Sequence, residues 1–173
     1  MVDLNQLKYF VIDVDGTMTD SGIYYDDNGN EYKKFSTRDG EGIKLAKAIG
    51  FVFIVITGRK YLGTERRMKE LNIDHFEQGV QDKYSYLLDY MLKNNISKNE
   101  LAYIGDDIND LKAMSLAGFI CCPSDSCIDV KNASNYCSTV NGGNGVVRDV
   151  IEYILRNRNQ WDLVINQVYG IKK

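Results

Sequence analysis

Hydrophobic positions fall into two rhythms along this chain. Short, nearly unbroken apolar runs occupy Lys8 to Val14, Phe51 to Ile56, Leu101 to Ile104 and Gly118 to Cys122. Runs of this length without polar alternation predict strands buried on both faces of a parallel sheet. Between them, apolar residues recur at helical spacing. One set is Ile43, Leu45, Ala46 and Ile49; another is Tyr84, Leu87, Leu88, Met91 and Leu92; the last is Val146, Val147, Val150, Ile151, Ile154 and Leu155. Recurrence at i, i+4 and i+8 predicts helices with a buried stripe. Strands alternating with helices make this an α/β chain whose parallel sheet is covered on both faces.

One segment departs from the alternation. Gly22 to Phe35 carries an Asn28-Gly29 pair between aromatic-bearing arms, which predicts a β-hairpin at about residues 22–35. The lone proline, Pro123, follows the fourth strand and marks a loop. With 173 residues and no internal repeat or linker, a single domain over 1–173 is expected, closing with a helix and tail at about 146–173.

Charge and cysteine usage then remove several classes of function. A net charge of −3 and a pI of about 5.2 give no basic footprint for nucleic acid. No apolar run reaches bilayer length, and Met1 to Asn5 lacks the regions of a signal peptide. A cytoplasmic location with no membrane partner is expected. Of the four cysteines, Cys121 and Cys122 end an apolar run and read as buried free thiols, against a disulfide or zinc reading. The lone His75 lies far from them in sequence.

Polar clusters follow the predicted strands. Asp13-Val14-Asp15-Gly16-Thr17 follows the first, Thr57-Gly58-Arg59 the second, and Gly105-Asp106-Asp107 with Asp110 the third; Lys83 lies near Gly79 to Asp82. In an open α/β sheet the ligand crevice lies at the carboxyl ends of the strands, so these clusters should converge. Gathered carboxylates repel one another at low effective dielectric. A hard divalent cation relieves that repulsion, and Mg²⁺ favours one or two carboxylates plus waters and phosphate oxygens. Lys83, the Thr57 hydroxyl and glycine amides would then receive a phosphate.

Four of these segments, Asp13 to Thr17, Thr57 to Arg59, Lys83 and Gly105 to Asp110, stand in the order of the four motifs of the haloacid-dehalogenase superfamily, which the chain resembles. The resemblance implies a Rossmann-like fold and a Mg²⁺-dependent phosphatase. It implies Asp13 as nucleophile and metal ligand, and Asp15 as general acid and base, ligating the metal through its carbonyl. It further implies Thr57, Gly58, Arg59 and Lys83 on the phosphate or substrate, Asp106 as a direct ligand, and Asp107 and Asp110 in support. Asp13 to Thr57 holds one hairpin and one helix, and Thr57 to Lys83 one helix and one short strand, so no cap domain fits.

The chain is similar, within that superfamily, to capless sugar-acid phosphatases acting on 3-deoxy-D-manno-octulosonate (KDO) 8-phosphate or on nonulosonate 9-phosphates. The shared segments include Arg38-Asp39-Gly40, Thr57 to Lys60, His75 to Gly79 and Gly142 to Arg148. Arg59 resembles the octulosonate branch; Thr17, where that branch often carries a small apolar residue, does not. The resemblance implies a phosphorylated sugar acid as substrate and a homotetramer whose hairpins reach neighbouring sites. A non-catalytic subunit of the same fold is the alternative from another class; no motif residue is missing. Arg38 and Asp39 either cap the helix near Gly42 or meet substrate, His75 reads as structural, and Lys33 and Lys34 read as a solvated or interface face, with substrate contact as the alternative.

Overall fold

The computed structural model describes residues 2–171. In chain order its elements are β1 (Tyr9–Ile12), β2 (Tyr24–Tyr25), β3 (Glu31–Tyr32), α1 (Thr37–Ala48), β4 (Val52–Thr57), α2 (Leu62–Glu70) and β5 (His75–Gln78). There follow α3 (Lys83–Asn94), β6 (Leu101–Ile104), α4 (Ile108–Met114), β7 (Phe119–Cys122), α5 (Ile128–Ala133), β8 (Tyr136–Cys137), α6 (Val146–Asn157) and α7 (Trp161–Tyr169). Six strands form one parallel sheet in the order β5-β4-β1-β6-β7-β8. The chain winds outward from β1 to β5, then returns to place β6 on the other side of β1. That reversal opens a crevice at the carboxyl ends of β1 and β6.

Both faces of the sheet are dry. Phe10 and Ile12 of β1 face a core built with α1, α6 and α7, while Val11 faces one built with α3 and α4. The α6 stripe, Val146, Val147, Val150, Ile151, Ile154 and Leu155, is fully buried. Burying each such side chain contributes about 1.5–3 kcal/mol before ordering entropy. Ser36 caps α1 by accepting from Arg38 N at 3.2 Å. Asp39 therefore does not cap its own helix. It is buried and accepts from Arg148 N at 2.9 Å, capping α6 from 109 residues away. Burial raises its pKa to about 6 against the pull of those backbone amides.

The hairpin is small. Only Tyr24–Tyr25 and Glu31–Tyr32 pair, and a single bridge, Thr19 to Phe35, closes its base. Its turn holds Gly29 at φ +80°, with Asp26 accepting from Asn28 N and Asn30 N. No domain is inserted elsewhere among the described residues. The four cysteines are free thiols, with Cys121 and Cys122 buried. Among the described residues no helix is long and apolar enough to cross a membrane.

Candidate active site

Asp13 is the first residue beyond β1. Its amide donates to Ile104 O at 3.0 Å, which carries the sheet ladder up to the crevice floor. The chain then turns widely through Val14 to Met18, closed by Thr19 N on Val14 O at 3.0 Å. Within it Asp15 is extended and Gly16 has φ +90°. A Cβ at Gly16 would lie 2.0 Å from Asp106 Oδ2, so only glycine fits between the two strand ends. The Gly142 backbone presses on the same turn, and Gly143 N donates to Thr17 O at 3.1 Å.

The predicted residues do converge. Asp13, Asp15, Thr57, Gly58, Arg59, Asp106 and Asp107 line one cavity of about 280 Å³, with Ser21 and Asn109 beside them. A larger hollow of about 590 Å³, against β5 and α2, is lined by none of these residues. Lys83 opens α3, and its buried ammonium donates to Asp13 Oδ1 at 2.7 Å and Asp110 Oδ1 at 2.8 Å. Asp110 also accepts from the Tyr103 hydroxyl at 2.8 Å and from Asp106 N at 3.3 Å. Thr17 donates to Asp106 Oδ1 at 3.2 Å. Asp107 is exposed and caps α4 through Ile108 N.

The electrostatics call for a cation. Carboxylate oxygens of Asp13, Asp106 and Asp110 lie within 4.8 Å of one another. Burial, then Asp110, raises the Asp13 pKa to about 8, with Lys83 opposing. Burial and Asp110 likewise raise Asp106 to about 7. Burial works against the Lys83 charge, yet Asp13 and Asp110 outweigh it and its pKa is raised. One ammonium among three close carboxylates leaves surplus negative charge. An all-oxygen donor set of this kind fits Mg²⁺. The Asp15 carboxylate stands outside the trio and is paired with Lys33 instead.

One reading changes. Lys33 is no solvated face: its side chain is 2% exposed and its ammonium sits 2.5 Å from Asp15 Oδ1. Arg59 already forms an ion pair with Glu31 of β3, at 3.0 and 3.1 Å. His75 fits a structural place, bonded to the Tyr86 hydroxyl at 2.8 Å and beside Tyr90. Sequence reasoning missed Ser21, Asn109 and Tyr103. Only Tyr103 had a signal, a polar tip inside a wholly apolar strand.

A family model for haloacid dehalogenase-like hydrolases matches residues 76–150. The 3-deoxy-D-manno-octulosonate 8-phosphate phosphatase of Haemophilus influenzae is 35% identical over 153 residues, 88% of this chain and 85% of that protein. The chain belongs to this family of haloacid dehalogenase-like hydrolases. Solved structures of the family agree in fold. The Moraxella catarrhalis phosphatase, in complex with magnesium ion, phosphate ion and KDO, is 40% identical with a TM-score of 0.90, over 95% of this chain and 94% of that one. The cobalt-bound Haemophilus influenzae phosphatase gives 34% and 0.87, over 92% of this chain and 94% of that one. The fold is thus the family's α/β fold, with a projecting hairpin and no cap domain.

Proposed function

We propose that the chain hydrolyses KDO 8-phosphate to KDO and phosphate through an aspartyl-phosphate on Asp13. The enzyme is a phosphoric monoester hydrolase, and its cofactor is Mg²⁺. The observation that carries the chemistry is the meeting of Asp13, Asp15, Thr57, Lys83 and Asp106 at one crevice. The likeness over nearly the whole chain to a phosphatase crystallised with KDO supports the substrate.

Asp13, Asp106 and the Asp15 carbonyl are the groups that would hold Mg²⁺, which supplies positive charge to the cavity when bound. Thr57, the Gly58 amide and Lys83 steady the phosphoryl group, and Lys83 also holds the Asp13 carboxylate in place. Asp13 attacks phosphorus in line while Asp15 gives a proton to the departing alkoxide oxygen. Water then attacks the aspartyl-phosphate, Asp15 takes its proton, and Asp13 is regenerated. Asp107 and Asp110 orient the site through α4 and Lys83. Arg59, once released from Glu31, is the cation nearest to hand for the sugar carboxylate.

The half-exposed Ile23, Tyr24, Tyr25 and Tyr32 support hairpin contacts between subunits of a homotetramer, each covering a neighbour's open site. Four free thiols support a reducing compartment, the cytoplasm. The test is Mg²⁺-dependent phosphate release from KDO 8-phosphate, nonulosonate 9-phosphates and hexose phosphates, on a preparation sized by light scattering. KDO 8-phosphate should be preferred at least about tenfold, a difference of about 1.4 kcal/mol in transition-state binding. Equal rates across the panel would remove the substrate claim, and a fully active monomer would remove the assembly claim.

A further inference from the structure

The Lys33–Asp15 pair has no part in the chemistry described so far. Lys33 follows β3 on the return arm of the hairpin, 18 residues from Asp15. Its side chain is 2% exposed, whereas that of Asp15 is 30% exposed and lines the cavity. The ammonium donates to Asp15 Oδ1 at 2.5 Å and stands 5.3 Å from the centre of the Tyr61 ring. Asp15 Oδ2 has no hydrogen-bond partner among the described residues. The closed Val14 to Met18 turn holds the Asp15 backbone, so the freedom left to the carboxylate is that of its side chain. A buried ammonium is stable only when paired, so Lys33 and Asp15 fix each other.

The same arm is tied twice more to the segment between β4 and α2. Glu31 pairs with Arg59, and the Tyr61 hydroxyl donates to Glu31 O. These ties set the hairpin root, and with it the origin of the Lys33 side chain. From this geometry we infer that Lys33 is a positioning residue for proton transfer: it pins one oxygen of Asp15 and leaves the other facing the substrate. The inference rests on Asp15 being the general acid and base. It adds that the hairpin of the same subunit holds that acid in register with the leaving oxygen.

Proton transfer by a positioned group is worth about 10²–10⁴-fold, so a loosened acid should lose a readable part of that. The experiment compares the Mg²⁺-loaded wild type with Lys33→Met, Lys33→Arg and the neighbouring control Lys34→Met. The substrates are KDO 8-phosphate, whose alkoxide needs a proton to leave, and p-nitrophenyl phosphate, whose phenolate does not. Lys33→Met should lower kcat on KDO 8-phosphate about 10–100-fold with KM within about twofold. Lys33→Arg should recover most of the loss, and Lys34→Met should behave as wild type.

On p-nitrophenyl phosphate, Lys33→Met should release a burst of nitrophenolate equal to the enzyme, followed by slow turnover, because water attack still needs Asp15. If the methionine variant does not fold, Lys33→Gln carries the same expectations. A raised KM at unchanged kcat would make Lys33 a substrate-binding group, and equal losses on both substrates without a burst would make it a strut. Either result overturns the inference. An Asp15→Asn variant with wild-type kcat would instead remove the acid–base reading beneath it, so the two failures are distinguishable.

Discussion

Asp13→Asn is expected to lower turnover by at least about 10⁴-fold while leaving the fold intact, as read by phosphate release and a thermal melt. The loss follows from chemistry. An amide oxygen is a poor nucleophile toward phosphorus, and no other carboxylate holds the Asp13 position between the β1 end and Lys83. The retained fold follows from energetics. Asp13 is 4% exposed, and its pKa of about 8 records that burial and Asp110 disfavour its charge. Asparagine is nearly isosteric and its oxygen still accepts from Lys83, which also keeps Asp110. A melt close to wild type with no turnover is the expected result. Residual activity above about 1% would point to another nucleophile.

Chelation of Mg²⁺ should have a comparably large effect. Removing it by EDTA and gel filtration is expected to abolish phosphate release, and Mg²⁺ added back should restore it. Binding should also be visible without substrate. A ligand at 100 times its Kd stabilises by about 2.7 kcal/mol, and for a chain of this size each kcal/mol raises Tm by about 2–4 °C. A rise of about 5–10 °C is therefore expected at saturating Mg²⁺.

The pH dependence of that rise has a definite sign. In the metal-free fold Asp13 and Asp106 have pKa values raised to about 8 and about 7, against 3.8 unfolded. Raised carboxylates contribute stability that is present below the unfolded pKa and lost as pH climbs through the folded values. The metal-free protein should thus lose stability between about pH 4 and pH 8. Mg²⁺ binds the deprotonated carboxylates, so its affinity rises over the upper part of that range. The Tm gain should be greater at pH 8 than at pH 6; a gain that shrinks with pH would place the cation elsewhere.

The parts of the fold that were legible in the sequence are those set by local pattern. Phe51 to Ile56 and Leu101 to Ile104 are continuous apolar runs, and Val146–Asn157 is a clean helical stripe. Their periods permit few arrangements. The motif residues were legible because each follows such a strand, and a parallel sheet brings strand ends together. β8 was not legible, since two residues, Tyr136–Cys137, carry no period. α7 read only as a tail, because Trp161 and Val164 are its only fully buried anchors.

The side-chain pairings of the site were not legible, for a different reason. Lys33 with Asp15, Glu31 with Arg59 and Asp39 with the α6 amides join residues 18, 28 and 109 apart. Lys33 and Lys34 look alike in sequence. Successive side chains of an extended arm point to opposite sides, so Lys33 turns inward to Asp15 while Lys34 stays on the surface beside Asn144. Asp39 looked like a cap and is one, but for a helix that only the folded sheet delivers. Local pattern locates groups, and tertiary geometry decides which of them meet.

The proposed chemistry puts a covalent phosphoryl group on Asp13. Quenching the Mg²⁺-loaded enzyme in acid during turnover of KDO 8-phosphate, then reducing with borohydride, would trap it. An acyl phosphate is reduced at its carbonyl carbon, so an aspartyl-phosphate becomes homoserine. Peptide mass spectrometry should find homoserine at position 13 and nowhere else, with none in Asp13→Asn. Homoserine at position 15 or 106, or none during active turnover, would contradict the account.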